Sequence, residues 1–441
     1  MVNYSRKINM WIFLLIFLIG ATSRYDLTLM ARVPLSEVIA FLAIPFLLAG
    51  VNVKPLYKRL KPIVGIFLLW AFAIALSDVI NGFVFERFIR AFARPVWCFL
   101  WMLFFIGVIS RDFKALMLYP FGTMFAAFQN YFFPQDWTID RIEAGGYHTV
   151  AYGLSPIVTS ICLVLALYLY RINRLMAVAM FLVNAIVLTL AESPRNFVAL
   201  ALLNAAIIAY IWWTRREGGR IYQLTMKRVM VLGCLGFVAC WGLYESYAYA
   251  AAEGLLGEMQ RDKFIAQSRT IYGDSFIGLI IGGRTVVFGA ILGIIDHPLW
   301  GTGSWTAWQM SNYYYSAVSM VGTSASDLQR FASAGMAPGV GHSIFFAGWL
   351  ENGLLAALAL LAIAYFVFKE FLAVIQNDSR LAPLLIYFGT VFFWAFFFSP
   401  FGVSHRLIIG LFLAFYILQF HKLKNVADRP DMILRETRLK R

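Results

Sequence analysis

Charged residues are scarce in this chain, 14% of 441, whereas 61% of residues are hydrophobic and 17% aromatic. So little polar surface excludes a water-soluble fold, and a bundle of lipid-facing helices needs this balance. Cysteine is also scarce. The four present, Cys98, Cys162, Cys234 and Cys240, fall inside apolar stretches with no CxxC or Cys/His ligand spacing, which excludes a disulfide framework and a zinc site. The short alternating segments of a membrane β-barrel are absent too. The net charge of +14 arises from basic residues spread over short segments between apolar runs. A nucleic-acid binder would gather them on one soluble face, so nucleic acid is not an expected partner.

Apolar runs of roughly 17–25 residues recur along the sequence, the length that crosses a hydrocarbon core as helix. Spans are expected near 8–22, 33–51, 62–77, 91–109, 115–132, 150–170, 175–191, 196–213, 229–247, 342–368, 382–398 and 406–420. The first has a basic start at Arg6 and Lys7 but no convincing cleavage site after it, so it reads as a helix, not a signal peptide. With the N-terminus cytoplasmic, alternate connections carry the lysines and arginines, and 24 of the 37 basic residues fall inside. That satisfies the positive-inside rule and puts both termini in the cytoplasm. The stretch 275–295 is long enough to span, but counting it would send the basic tail outside and leave Arg284 in mid-membrane. Two short helical pieces broken at Gly282-Gly283, lying at the outer interface or dipping in, are expected instead. The domain reading is therefore a transmembrane bundle at 1–247, a large outer loop at 248–341, further spans at 342–420 and a basic tail at 421–441.

Of the 13 basic residues left for the outer face, 12 are arginine, whereas the inner set mixes ten lysines with fourteen arginines. Topology does not distinguish the two, but chemistry does. The planar guanidinium grips phosphate oxygens through paired hydrogen bonds, so an arginine-rich outer face suits a pyrophosphate at the membrane surface. Pairing with Glu86, Asp140, Glu192 or Asp274, plus headgroup contacts, would explain the same residues. Three places sharpen the choice. Arg195 follows Pro194 at the positive end of a helix, where an anion is attracted; an interfacial arginine paired with Glu192 is the alternative. Arg284 follows two glycines and opens a short apolar helix ending near Ile295. His342 lies where the loop re-enters the membrane, as a proton acceptor or as a helix cap.

These stretches, SPRNFVALAL, GGRTVVFGAILGIIDHPLWGTGS and GHSIFFAGWLENGLLAAL, in this order and topology, resemble the O-antigen ligase and O-antigen polymerase superfamily of bacterial envelope glycosyltransferases. Two positions depart from its usual pattern: Pro194 intervenes before Arg195, and Ser343 stands where asparagine commonly follows the histidine. The Glu-x-Gly of the third stretch is present as Glu351-Asn352-Gly353. The resemblance implies an all-α integral membrane protein of about 12 transmembrane helices, with the large periplasmic loop of multi-span (C-type) glycosyltransferases. It implies a donor glycan on undecaprenyl diphosphate. The acceptor is another lipid-linked glycan (polymerase, for O-antigen or exopolysaccharide) or lipid A-core of lipopolysaccharide (ligase). It places Arg195 and Arg284 on the diphosphate and His342 near the acceptor hydroxyl, at the periplasmic face of the bacterial inner membrane, without a metal. A chain-length regulator is a further partner of such proteins.

Glu351, Arg406 and Arg269 are expected in supporting roles, Glu351 as an ion-pair partner of an outer arginine. No Asp-x-Asp or Glu-x-Asp pair lies on the outer side, and the five histidines lack paired spacing, so no metal and no other cofactor is expected. Trp300, Trp305, Trp308 and Tyr313 to Tyr315 offer faces for sugar stacking or for an interfacial aromatic belt. The departures at Pro194 and Ser343 weaken the match to typical ligases and tilt the reading to polymerase. A flippase of lipid-linked sugars should show repeated halves, and none is visible. A non-catalytic assembly protein would not need His342.

Overall fold

The computed structural model describes residues 10–28, 32–52, 54–134, 153–191, 195–216, 242, 245–255, 261, 264–265, 284–321, 339–377 and 379–419. Thirteen helices follow one another in them, and the one β element is a two-stranded ribbon, Asp26–Thr28 (β1) with Arg32–Pro34 (β2). The first half holds α1 (Met10–Ala21), α2 (Leu35–Leu48), α3 (Tyr57–Asn81), α4 (Phe85–Asp112), α5 (Tyr119–Phe132), α6 (Ser155–Tyr170), α7 (Arg174–Leu190) and α8 (Arg195–Arg216). Next come two short helices, α9 (Thr285–Asp296) and α10 (Ser311–Val321), and then α11 (Ile344–Asn377), α12 (Ala382–Phe398) and α13 (Val403–Leu418).

Among the described residues, four helical segments are long and apolar enough to cross a membrane: Lys54–Asn81, Phe85–Phe132, Asn196–Thr214 and Ile344–Asn377. The second turns a corner through a 3-10 turn at Phe113–Leu118, which separates α4 from α5. Other apolar helices, such as α1, α2, α6, α7, α12 and α13, are shorter, at 10–17 residues. Large side chains such as Phe46, Leu68, Phe72 and Leu190 project outward and exposed. On a water-soluble protein that surface would be a liability; in a bilayer it is the lipid contact. The chain is an all-α membrane protein. The expected helix at 229–247 lies almost wholly outside the described residues, as does the loop stretch 266–283 with Arg269.

Packing sets α13 at the centre. It is buried on nearly every side from Leu407 to Phe415, the pattern of an inner helix, and lies along α4. There Trp101 stacks on Phe105 and meets Phe104 edge-on, with centroids 5.7 and 5.4 Å away. Around this pair, α2 and α3 cover α4, α11 lies on α3, and α12 bridges α11 to α8.

Side-chain contacts define the two ends of the bundle. At one end Arg59 donates to the Ile417 carbonyl, and Arg111 donates to the carbonyls of Phe46, Leu47 and Ala49. Arg171 reaches Met117 at the same end. At the other end the start of α11 meets the end of α12, where Ser343 Oγ donates to the Phe396 carbonyl at 2.9 Å. Trp212 of α8 shares a cleft with Arg171 and Arg380 at the first end. The opposite end of α8, where Arg195 stands, therefore lies on the side of Ser343.

Candidate active site

The site is built around a break in α11. Gly353 has φ 75° and ψ −173°, a conformation essentially restricted to glycine, and two helical stretches meet there. The span expected near 342–368 is there, as part of Ile344–Asn377, with this break inside it. Its consequence is a set of carbonyls that the helix no longer uses. Leu350 accepts instead from the backbone N–H of Thr302 and Glu351 from that of Gly303, each at 2.9 Å, while Leu354 donates to the Leu299 carbonyl at 3.0 Å. Ser77 Oγ adds a bond to the Glu351 carbonyl at 2.8 Å. Gly301 must itself be glycine, because a Cβ there would sit 2.6 Å from the Glu351 carbonyl oxygen.

The loop 299–306 is thereby docked onto the bundle, and Asp78 completes the attachment. Its two carboxylate oxygens accept from the Ser304 N–H and hydroxyl, both at 2.7 Å, all of it buried. Asn81 donates to the Gly301 carbonyl and Trp349 Nε1 to the Pro298 carbonyl. A small apolar core of Ala290, Ile294, Ala307, Val340, Ala347 and Leu350 then fixes α9 against the start of α11.

On this platform stand Arg284 and His342. Arg284 is the N-cap residue of α9, and that helix coincides with the short one expected to open there. Its guanidinium lies over the rings of Trp394 and Phe398, 4.8 and 4.5 Å from their centroids, at the end of α12. Such faces hold a cation in place. His342 immediately precedes Ser343, which caps α11 by accepting from the Phe346 N–H at 3.0 Å. The cap is thus the serine, not the histidine. The imidazole is exposed to solvent, yet enough protein surrounds it to strip part of its hydration. That desolvation, with the nearby Arg284 guanidinium, holds its pKa below the usual imidazole value, so the neutral, proton-accepting form prevails near pH 7.

Arg195 begins α8 at this same end; its side chain, like Glu192 to Pro194 before it, lies outside the described residues. The supporting residues have structural partners. Glu351 pairs with Arg94 at 2.8 Å, deep in the bundle, and Arg94 also lies 4.9 Å over the Trp305 ring. Arg406 pairs with Glu37 at 3.2 Å. Each pair puts two opposite charges where neither would survive alone. Glu86 takes Arg90, as one of the acids expected to pair with an outer arginine, whereas Asp140 and Asp274 lie outside the described residues.

The aromatic residues divide. Trp305 is committed to Arg94, Tyr313 donates to Asp296 at 2.8 Å, and Trp300 is exposed. Burial and the neighbouring Asp296 carboxylate push the Tyr313 phenol up to about 12, so it stays a donor. Sequence reading missed Glu37, Asp78 and Arg94 as structural partners, and also the rings that hold Arg284. The available signal was a lone carboxylate inside an apolar run, which must be paired. Among the described residues no three His, Cys, Asp or Glu side chains converge as a metal site would require. No family model matches the chain, and no curated protein matches it either.

Proposed function

We propose that the chain is a metal-independent, inverting glycosyltransferase that polymerises glycan repeat units carried on undecaprenyl diphosphate. The observation that supports this reading is the meeting of a positioned guanidinium, Arg284, with an accessible imidazole of lowered pKa, His342, at the end of the bundle where α8 opens with Arg195. The resemblance in the same three stretches supplies the substrate class. In this reading about 12 helices cross the bacterial inner membrane, both termini are cytoplasmic, and the site faces the periplasm.

The step follows from the groups. The acceptor hydroxyl oxygen bonds to the donor's anomeric carbon as that carbon's bond to the diphosphate oxygen breaks, and the configuration inverts. The hydroxyl proton passes to His342. The electron pair leaves with undecaprenyl diphosphate, whose growing charge Arg284 and Arg195 stabilise. Exposed Trp300, on the docked loop 299–306, offers a face to a sugar ring.

Transfer to lipid A-core, the ligase reading, uses the same chemistry on another acceptor. Deletion of the gene separates them: a glycan ladder collapsing to single repeats marks a polymerase, and loss of attached glycan while lipid-linked polymer accumulates marks a ligase. His342→Ala tests both against a flippase or an assembly protein. The enzyme loses glycan transfer while expression and membrane insertion persist; full transfer by the variant removes His342 from its role.

A further inference from the structure

A second cationic site lies at the opposite end of the bundle, in a cleft of about 590 Å³ between the α6–α7 turn, the end of α8 and the connection from α11 to α12. Three arginines line it, Arg171, Arg174 and Arg380, and the described lining residues include no carboxylate. Tyr170 and Trp212 form its aromatic wall. We propose that this cleft binds the phosphate headgroup of an anionic phospholipid.

Two observations place the ligand in the bilayer rather than in solution. Trp212 stands two residues from the end of the spanning segment Asn196–Thr214, so the cleft sits at the depth of the headgroups. Ile172 in its lining, and Tyr168, Leu175, Met176 and Trp213 close to lining residues in the sequence, are exposed and give acyl chains a surface to lie on. The backbone adds to the field, because Arg174 is the first residue of α7 and the positive end of that helix opens into the cleft. Asn173 caps that end: its side chain accepts from the Leu175 N–H at 2.9 Å and its carbonyl from the Met176 N–H at 3.1 Å. Arginine in all three positions favours the forked grip on phosphate oxygens over simple charge attraction. Basic clefts between membrane helices at this depth are the usual place for such headgroups. This site is independent of the glycosyl-transfer reading and stands or falls without it.

The test is native mass spectrometry of the full chain in detergent, titrated with phosphatidylglycerol or with phosphatidylcholine of the same acyl chains. Phosphatidylglycerol should be retained about tenfold or more over phosphatidylcholine, and each arginine replaced by glutamine should weaken it about fivefold. The combined variant Arg171→Gln, Arg174→Gln, Arg380→Gln should bind both lipids alike while eluting as a single folded species. Should that variant not fold, Arg380→Gln alone, at an exposed loop position, should still show the single-site loss. Undiminished preference for phosphatidylglycerol in the folded triple variant, or in Arg380→Gln when the triple does not fold, overturns the proposal. Displacement of the lipid by millimolar inorganic phosphate also overturns it, by assigning the cleft to a soluble anion.

Discussion

Replacing Gly353 by alanine should loosen the platform under the site without touching a charged group. The new Cβ would be driven into the Leu299 carbonyl oxygen, and the residue would be forced to hold φ 75° and ψ −173°. That conformation costs a non-glycine residue about 1–3 kcal/mol. Relief requires the loop 299–306 to lift, which breaks the backbone bonds of Thr302, Gly303 and Leu354. At about 0.5–1.5 kcal/mol each, their loss brings the total to roughly 3–7 kcal/mol. Hydrogen exchange reads this directly. In the wild type the three amides should be well protected; in Gly353→Ala they should exchange about a hundredfold faster or more, while amides in the middle of α4 and α13 keep their rates. Unchanged protection at Thr302, Gly303 and Leu354 would refute the view that the helix break anchors this loop.

Other consequences are equally specific. Glu351→Met or Arg94→Met alone leaves its buried partner unpaired and should cost about 3–5 kcal/mol in thermal or denaturant unfolding; the double replacement should cost clearly less than the sum. Ser343→Ala should lower stability by about 1–3 kcal/mol, through the lost cap and the lost bond to the Phe396 carbonyl; Ser343→Asn, which keeps a cap and a donor, should cost less than Ser343→Ala. Because crowding and Arg284 both hold the His342 pKa below 6.5, protonation should remove the base only below that pH. The acid limb of kcat/KM then falls as pH drops through a value under 6.5. The carbon-13 titration of His342 should move upward in Arg284→Gln, since a like charge has gone; an unmoved titration would separate the two groups.

How much was legible in the sequence depended on the kind of signal. Apolar runs of spanning length and the few charges between them led directly to an all-α membrane fold, because burying a helix in lipid leaves a crude, long-range mark on composition. The short helix opening at Arg284 and its proline- and glycine-rich exit were also readable, because helix punctuation is local. The break at Gly353 was not: a glycine within a long apolar run looks like any tolerated helix glycine until the loop that needs the freed carbonyls is seen docked against it. Long-range partners were hidden for the same reason. Glu351 was expected to meet an outer arginine, but only packing selects Arg94, which lies 257 positions earlier. Ser343 looked like a departure from the superfamily pattern, and the cap it forms gives the position a structural requirement that asparagine also meets.

The most direct test is turnover by the purified chain, reconstituted in vesicles with a synthetic undecaprenyl-diphosphate glycan, following both glycan lengthening and release of undecaprenyl diphosphate. The wild type should extend the glycan without added metal. His342→Asn should slow transfer about 10²–10⁴-fold with donor binding retained, and Arg284→Gln about 10²–10³-fold with donor binding weakened. No transfer by the folded wild type, or full-rate transfer by His342→Asn, would contradict the account.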